Sequence, residues 1–482
     1  MKIVEHLNTR HKQYAVYDNF RSIANYIDGF KPSSRKIFYC INDFKNLNKV
    51  DTIANSTALK TQYLHGSTNL EGVTVGLSQT FAGTNLIPLF KTEGFFGTRT
   101  ATSSGAPRYI KAKKNPVLDL IFRPEDTNVL IQQEFEGYKI EPQYYVPIIP
   151  MILINTQSGI GNGYSQSIYS RNPKEVIKYI KQWISKDITQ ELLPYFEGYK
   201  GQISKGENPN QYKVTGELKV INTTTIEITE IPINTSVEKY IKFLNQLEDN
   251  KTIRDYKDKS NKNEILFEIK VPRDLTSKNS IDELYKIFKL KSTITETLTV
   301  IGEKNQIVVP ESIYDIIERF CNIRLEYYQK RKDYIIKQME QDLIILQNKC
   351  NFIQAVNSGG IEIQNKRKTE IEFKLYDNYY DKVDDSYDYL LGMRIYTLTV
   401  EKKQELEKQK QELENKLSEY KSKDITEIWL EELDELEKAL PGYNKSTKTT
   451  KSTKNSTKTT KTTKEKKLKN PYKKINDLID LF

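Results

Sequence analysis

The chain is poor in the residues on which small secreted or zinc-dependent proteins rely. Of its 482 residues only three are cysteine and three are histidine. Cys40, Cys321 and Cys350 are too few and too far apart for a disulfide framework, and they read as core thiols of a reducing compartment. His6, His11 and His65 belong to no Cys/His cluster with zinc-ligand spacing, so metal chemistry would need carboxylates or residues of another chain. No run of about 18 apolar residues is present, which excludes a membrane-spanning helix. The opening MKIVEHLNTRHKQY lacks the apolar centre and small-residue cleavage site of a signal peptide, and a cytoplasmic protein is expected. The glycine-rich stretch at 159–163 (GIGNG) lacks the spacing and the Lys-Ser/Thr of a nucleotide-binding loop, and no other ATPase motif occurs.

What is present is length, at about 100–200 residues per domain, for roughly three domains. Hydrophobic residues make up 37% and charged residues 29%, enough for real cores and polar enough for long exposed helices. The net charge of +10 is concentrated. Residues 445–474 hold twelve lysines and one glutamate, which leaves only about +1 on residues 1–444. Such a body can still bind nucleic acid if its basic residues gather on one face.

Residues 15–135 mix short helical and strand-like segments broken by DGFKP, LHGS and SSGAP, as in an α/β region with functional loops. Over 136–305 strand patterns dominate: EITEIPI (227–233) and EILFEIKV (264–271) alternate polar with branched apolar residues, and an antiparallel sheet with attached helices is expected. From residue 311 apolar residues recur at helical spacing (Ile313, Ile316, Ile317, Phe320, Ile335, Ile336, Met339, Leu343, Leu346) without Pro or Gly until Gly359. A continuous helix over 311–356 would be roughly 69 Å long. A second charged helix places Leu406, Leu413, Leu417 and Tyr420 on one stripe, so the pair reads as an antiparallel coiled coil around a small module at about 357–397. Residues 445–467 contain almost only Lys, Thr and Ser and are expected to be disordered. In the terminal INDLIDLF, Ile475, Leu478, Ile479 and Phe482 share one helical face, as in either a frayed end or a short docking helix.

The motifs DNFRSIANYIDGFKPSSRKIFY (18–39), YLHGSTNLEGVTVGLSQTFAGTNLIPLF (63–90), GFFGTR (94–99), APRYI (106–110), Glu141-Pro142 and PMILINTQSGIGNGYS (150–165) stand in order. In order and rough spacing they resemble the DNA-cleavage subunit of type IIA topoisomerases, over about residues 12–440. FEGYKGQI (196–203), NKCNFI (348–353), YLLGMRIYTLTVEK (389–402) and DITEIWLEEL (424–433) resemble the tower, coiled-coil and exit-gate segments of the eukaryotic-type branch. Starting at the winged-helix region, the chain is most similar to the medium subunit of T-even-like phage topoisomerases.

The resemblance implies an α+β multi-domain chain. A winged-helix DNA-gate domain would occupy 1–135, a mixed α/β tower domain 136–305, and a long antiparallel coiled coil with a small exit-gate dimerisation module 306–440. A disordered basic C-terminal tail would follow over 441–482. It further implies that Tyr109 attacks a DNA phosphorus to form a 5′-phosphotyrosine and release a 3′-hydroxyl. A phenol is a poor nucleophile at neutral pH and the phosphodiester is already anionic, so cations must gather there. Arg108 would bond the scissile phosphate. His65 would bind or polarise that phosphate, although Leu64 and Ser67 replace a histidine and an acid of the family's YHHGE loop, which puts any relay through the flanking residues in doubt. Arg21, Lys31, Arg35 and Lys36 would contact the DNA backbone, with Arg99 a further candidate and Ser34 standing where the family has glutamine. Ile160 would wedge between base pairs and bend the duplex.

The family's metal ligands, a glutamate and an Asp-x-Asp pair of the Toprim domain, have no match here, and Asp384-Asp385 reads as a solvated pair. No metal site is therefore expected in this chain. Mg2+ and ATP would both be bound by a large topoisomerase subunit carrying ATPase and Toprim domains, joined to a homodimer of this chain on double-stranded DNA. The competing reading is a catalytically idle DNA-binding or scaffold protein with the same fold.

Overall fold

In the computed structural model, which describes residues 3–262, 264–394 and 398–443, helix α1 (Lys12–Ser22) leads into a fully buried stretch, residues 23–30. Side chains tie that stretch into turns: Asn25 Oδ1 accepts from the Ile27 N–H and Asp28 Oδ1 from the Phe30 N–H. Helix α2 (Pro32–Tyr39) starts with proline at a position whose N–H has no helical partner anyway. Strand β1 (Asn48–Lys49), helix α3 (Val50–Lys60), helix α4 (Ser67–Gly76), and strands β2 (Phe90–Glu93) and β3 (Lys111–Lys114) follow. The three strands form one antiparallel sheet in the order β1-β3-β2.

The hairpin of β4 (Gln157–Ile160) and β5 (Ser165–Ile168) gains a third strand from Thr297–Leu298. Gln166 of β5 stitches it to the first buried stretch, accepting from the Ala24 N–H at 3.0 Å and donating to Thr299 O at 2.8 Å. Beside the hairpin an ion pair with no exposure joins Arg171 to Glu296, whose Oε2 accepts from Nη2 at 2.7 Å.

The two alternating segments noted above pair as antiparallel strands of a four-stranded sheet, with Ile226 opposite Ile269 and Ile228 opposite Phe267. Their apolar face packs on Tyr240 and Leu244 of the helix Val237–Asp249, which Ser236 caps by accepting from the Lys239 N–H.

The long helix is α5 (Ile313–Asn357), and α6 (Val400–Ser422) and α7 (Ile425–Ala439) follow the small module. The described chain forms two compact units, residues 3–331 with 424–443, and residues 332–394 with 398–423. In the first, Trp429 of α7 is fully buried and donates through Nε1 to Ile148 O at 3.0 Å. Around it Asp126 bonds Arg324 at 2.7 Å, and Glu432 bonds Arg331 at 2.8 Å. In the second unit the helices run antiparallel: Met339 packs with Leu413 and Leu417, and Ile353 with Leu406. Lys421 pairs with Glu340 at 2.6 Å along the same seam. The module between them has its own core of Phe352, Ile361, Ile371, Leu375, Tyr387 and Leu390. Asp384 and Asp385 form the left-handed tip of a turn closed by the Val383 N–H on Ser386 O, a conformation aspartate tolerates.

All three cysteines are free and buried, and burial pushes the Cys40 thiol up to about 11. No helix among the described residues is long and apolar enough to cross a membrane. Of the expected tail, residues 444–482, including the INDLIDLF segment, lie outside the described residues, whereas Tyr443 donates through its hydroxyl to Leu86 O at 3.1 Å.

Candidate functional site

Tyr109 stands at the end of a loop whose fixed point is its neighbour. Ile110 is 3% exposed, whereas Tyr109 is 72% exposed. The loop is closed by the Gly105 N–H on Phe95 O at 2.8 Å and the Tyr109 N–H on Ala106 O at 2.9 Å. Ile110 O in turn accepts from the N–H of Val50, the first residue of α3, so the positive end of that helix abuts the loop. The Arg108 guanidinium lies 5.0 Å from the centre of the Tyr109 ring, and no carboxylate among the described residues engages it. An exposed phenol and an uncommitted cation thus share one turn, open to an incoming anion.

A second group assembles around the C-terminal half of α1. Asp18, Arg21 and Ser22 line a groove together with Lys31, Tyr63, Asn69 and Ile160. Arg21 lies 5.5 Å from the centre of the Tyr17 ring, and the Tyr17 hydroxyl is 2.9 Å from His65 Nε2. Leu64 is largely exposed and Ser67 begins α4, so neither flanking residue supplies the relay left in doubt above. The tyrosine from α1 orients the imidazole instead. Sequence reading passed over Tyr17 because it is one of 31 tyrosines; the available signal was its place one helical turn before Arg21.

Ile160 projects from the tip of the β4–β5 hairpin and is 85% exposed. The glycines on either side allow this. A Cβ at Gly159 would overlap Ser22 O, and one at Gly161 would overlap Asn19 Oδ1. The hairpin therefore lies directly on the end of α1, where Asn19 Nδ2 also donates to Asn162 O at 3.1 Å. Lys31 braces it from the other side, donating to Ser158 O at 2.8 Å, and burial pushes its ammonium below the usual lysine range. Gly159→Ala is expected to lift the hairpin and cost about 1–3 kcal/mol of stability, as small-to-large changes at tight contacts do. A thermal melt checks the cost. Solvent protection at Ser22 and Asn19, read by hydrogen exchange, checks the displacement.

Three of the cations expected at DNA are engaged within the protein. Arg35 is buried and gives its guanidinium to Asp28, with Nε 2.7 Å from Oδ2, and to Phe30 O. Lys36 is held by Glu141 at 2.9 Å and by Thr61 O. Arg99 pairs with Glu230 at 2.9 Å and donates to Ile231 O, joining the loop before Tyr109 to the end of an inner strand of the four-stranded sheet. Each is a structural cation within the described chain, since its charge is met by a partner from inside the protein. Arg21, Lys31 and Ile160 share the groove, His65 adjoins α1 through Tyr17, and Tyr109 with Arg108 lies apart from the groove lining. Among the described residues no group of three or more His, Cys, Asp or Glu stands together as a metal site.

A family model for the A-subunits of DNA gyrase/topoisomerase IV matches residues 21–434. The chain is 33% identical to DNA topoisomerase 2 of Plasmodium falciparum, covering 89% of this chain and 34% of that protein. It is 31% identical to the mitochondrial DNA topoisomerase 2 of Dictyostelium discoideum, covering 90% and 35%. Its fold is similar to the crystal structure of the Plasmodium falciparum topoisomerase II DNA-binding, cleavage and re-ligation domain, with a TM-score of 0.81 and 33% identity over 90% of this chain and 64% of that one. The chain thus spans about a third of the length of the curated relatives it matches.

Proposed function

The chain belongs to the DNA gyrase/topoisomerase IV A-subunit family, and from that premise we propose that it is the cleavage-religation subunit of an ATP-dependent type IIA topoisomerase. The observation that carries this reading is Tyr109, exposed on a loop that Ile110 anchors, with Arg108 beside it. In the forward step the Tyr109 oxygen attacks a backbone phosphorus, the bond from phosphorus to the 3′ oxygen breaks, the phenolic proton is lost and the 3′ oxygen gains one. Arg108 bonds the equatorial oxygens as their charge grows. His65, held by the Tyr17 hydroxyl, binds the same phosphate. Religation reverses these moves and needs no outside energy, because the phosphotyrosine bond is equivalent to the one broken.

Ile160 enters the base stack and bends the duplex, with Arg21 on the neighbouring backbone. Inserting a wedge costs a few kcal/mol, offset by the contacts of bent DNA. Two copies of the chain cut opposite strands, and a second duplex passes between them. The coiled coil with its module over 332–423 serves as the exit gate of that homodimer. The three-stranded sheet with α2 to α4 serves as the winged-helix part, and the four-stranded sheet as the tower.

Magnesium, where bound, stabilises attacking and leaving oxygens. We assign it and ATP to a large partner subunit with Toprim and ATPase domains, on the chemistry of the donor set here: among the described residues no three His, Cys, Asp or Glu stand together to hold a metal ion. The likeness to a phage medium subunit, and a place in the host cytoplasm, belong to the same reading.

The test is to mix the chain with supercoiled plasmid, magnesium and the partner, then add detergent and protease. Linear DNA with a blocked 5′ end is expected. Uncut plasmid with DNA binding retained would favour an idle scaffold. In the same assay His65→Ala should lower the cleavage rate by about 10²-fold, the scale of removing one preorganised donor from a developing anion.

A further inference from the structure

The sheet that follows Tyr109 carries a charge pattern that folding alone opposes. Strand β3 begins two residues after Tyr109, and its register sets Lys111 between Lys49 of β1 and Glu93 of β2, and Lys113 opposite Lys91 of β2. Successive strand residues face opposite sides, so these five share one face while Phe90, Ala112 and Lys114 share the other. The inner face packs on the protein at Phe90, Ala112 and Lys114. Phe90 and Ala112 are buried, Lys114 donates to Asn42 Oδ1 at 2.6 Å and pairs with Asp119, and the 3-10 helix Ile41–Phe44 packs against β3.

On the outer face Glu93 engages Lys111 at 3.0 Å. Lys49, Lys91 and Lys113 meet no carboxylate among the described residues. Like charges directly opposite across a sheet are destabilising, and here they are set at Lys49–Lys111 and Lys91–Lys113. Beyond the Glu93–Lys111 pair no carboxylate of the described residues answers these charges, and such a face gains from a polyanion. Its outward positions in β3 and its partners are lysine or glutamate, with no apolar or aromatic anchor; lysine is depleted from protein interfaces, and as a point charge it suits phosphate.

We propose that this face, Lys49, Lys91 and Lys113 with Lys111, is a phosphate track that holds the duplex backbone flanking the cleaved bond. The proposal rests on Tyr109 marking where DNA is cut. Four residues of chain reach at most about 14 Å, so Lys113 lies within about four base-pair steps of the Tyr109 backbone. Lys111 and Lys113 are about 7 Å apart along the strand, two nucleotide steps of the duplex axis. These are positioning residues: they hold DNA in register and do not touch the reacting atoms.

The experiment measures duplex binding by fluorescence anisotropy from 50 to 200 mM salt, for the full chain and for Lys49→Gln/Lys91→Gln/Lys113→Gln. Each phosphate contact contributes about −0.9 to the slope of log affinity against log salt. The triple variant should have a slope shallower by about 2–3, so that the unmodified chain loses about 16- to 64-fold more affinity than the variant across that range. Its melting temperature should be unchanged or higher, because three repelling charges are gone. Equal slopes, with 5′-linked cleavage by the unmodified chain intact, would overturn the track while leaving the reading of Tyr109 standing. Equal DNA slopes with weakened assembly onto the partner subunit would also overturn it and reassign the face to an acidic protein. A shallower slope in a chain that forms no covalent link would retain the track as a backbone-binding face and reject Tyr109 as nucleophile.

Discussion

Replacing Tyr109 by phenylalanine is expected to abolish covalent DNA cleavage while leaving folding and DNA binding intact. The change removes one oxygen from a side chain that is 72% exposed and whose hydroxyl makes no hydrogen bond among the described residues. The ring, and with it the stacking of Arg108, is retained. Nothing in the core depends on the lost atom, so the melting temperature should not move. Without it there is no group to attack phosphorus, and removal of a nucleophile costs more than about 10³-fold in rate. With plasmid, magnesium and the partner subunit, linear DNA with a blocked 5′ end should form with the unmodified chain and be absent with Y109F. Linear product from the variant would mean that another residue attacks. Lost DNA binding would mean that the loop is structural.

Glu296→Ala is expected to produce the largest loss of stability of any single change considered, about 3–5 kcal/mol. Both Glu296 and Arg171 are entirely shielded from solvent. Glu296 also accepts from the Tyr169 N–H at 2.8 Å, and Arg171 has further bonds to Tyr169 O and the Tyr212 hydroxyl. Truncation would leave a guanidinium with no counter-ion in the interior. The intact pair contributes little net stability, since desolvation of two charges offsets their attraction, and the cost lies in stranding one of them. Denaturant unfolding measures it. Glu296→Gln, which keeps the shape and an acceptor, should lose less than the alanine variant; equal losses would show that shape and not charge matters here. Because Tyr169 directly follows β5, the damage should reach the hairpin that presents Ile160, and cleavage should fall more steeply than the folded fraction.

Much of this was legible in the sequence. The 45-residue α5 is a consequence of apolar spacing uninterrupted by proline or glycine, and local periodicity suffices to specify it. The pairing of the 227–233 and 264–271 segments follows from period-two alternation, because only one face of such a strand can be buried. Tyr109 stands apart from the other tyrosines because its flanks, APRYI, match the motif of the family it resembles. Its exposure follows from the same short stretch, as Ile110 turns inward and the residue before it turns out.

What local pattern did not carry was the use made of each charge. Arg21 and Arg35 stand in one motif, yet the first lines the groove and the second is enclosed with Asp28. Lys36 is met by Glu141 and Arg99 by Glu230, residues more than a hundred positions away along the chain. Tyr17 reaches His65 in the same way, across 48 residues. The sequence by itself determined where helices and strands form, because backbone propensity and apolar periodicity act between near neighbours, and its match to the family motif singled out Tyr109 as the proposed nucleophile. Only the tertiary structure decided which of these cations meet a carboxylate, because a charge is neutralised by whatever carboxylate the fold brings within a few ångströms, and that carboxylate need not be near it in the chain.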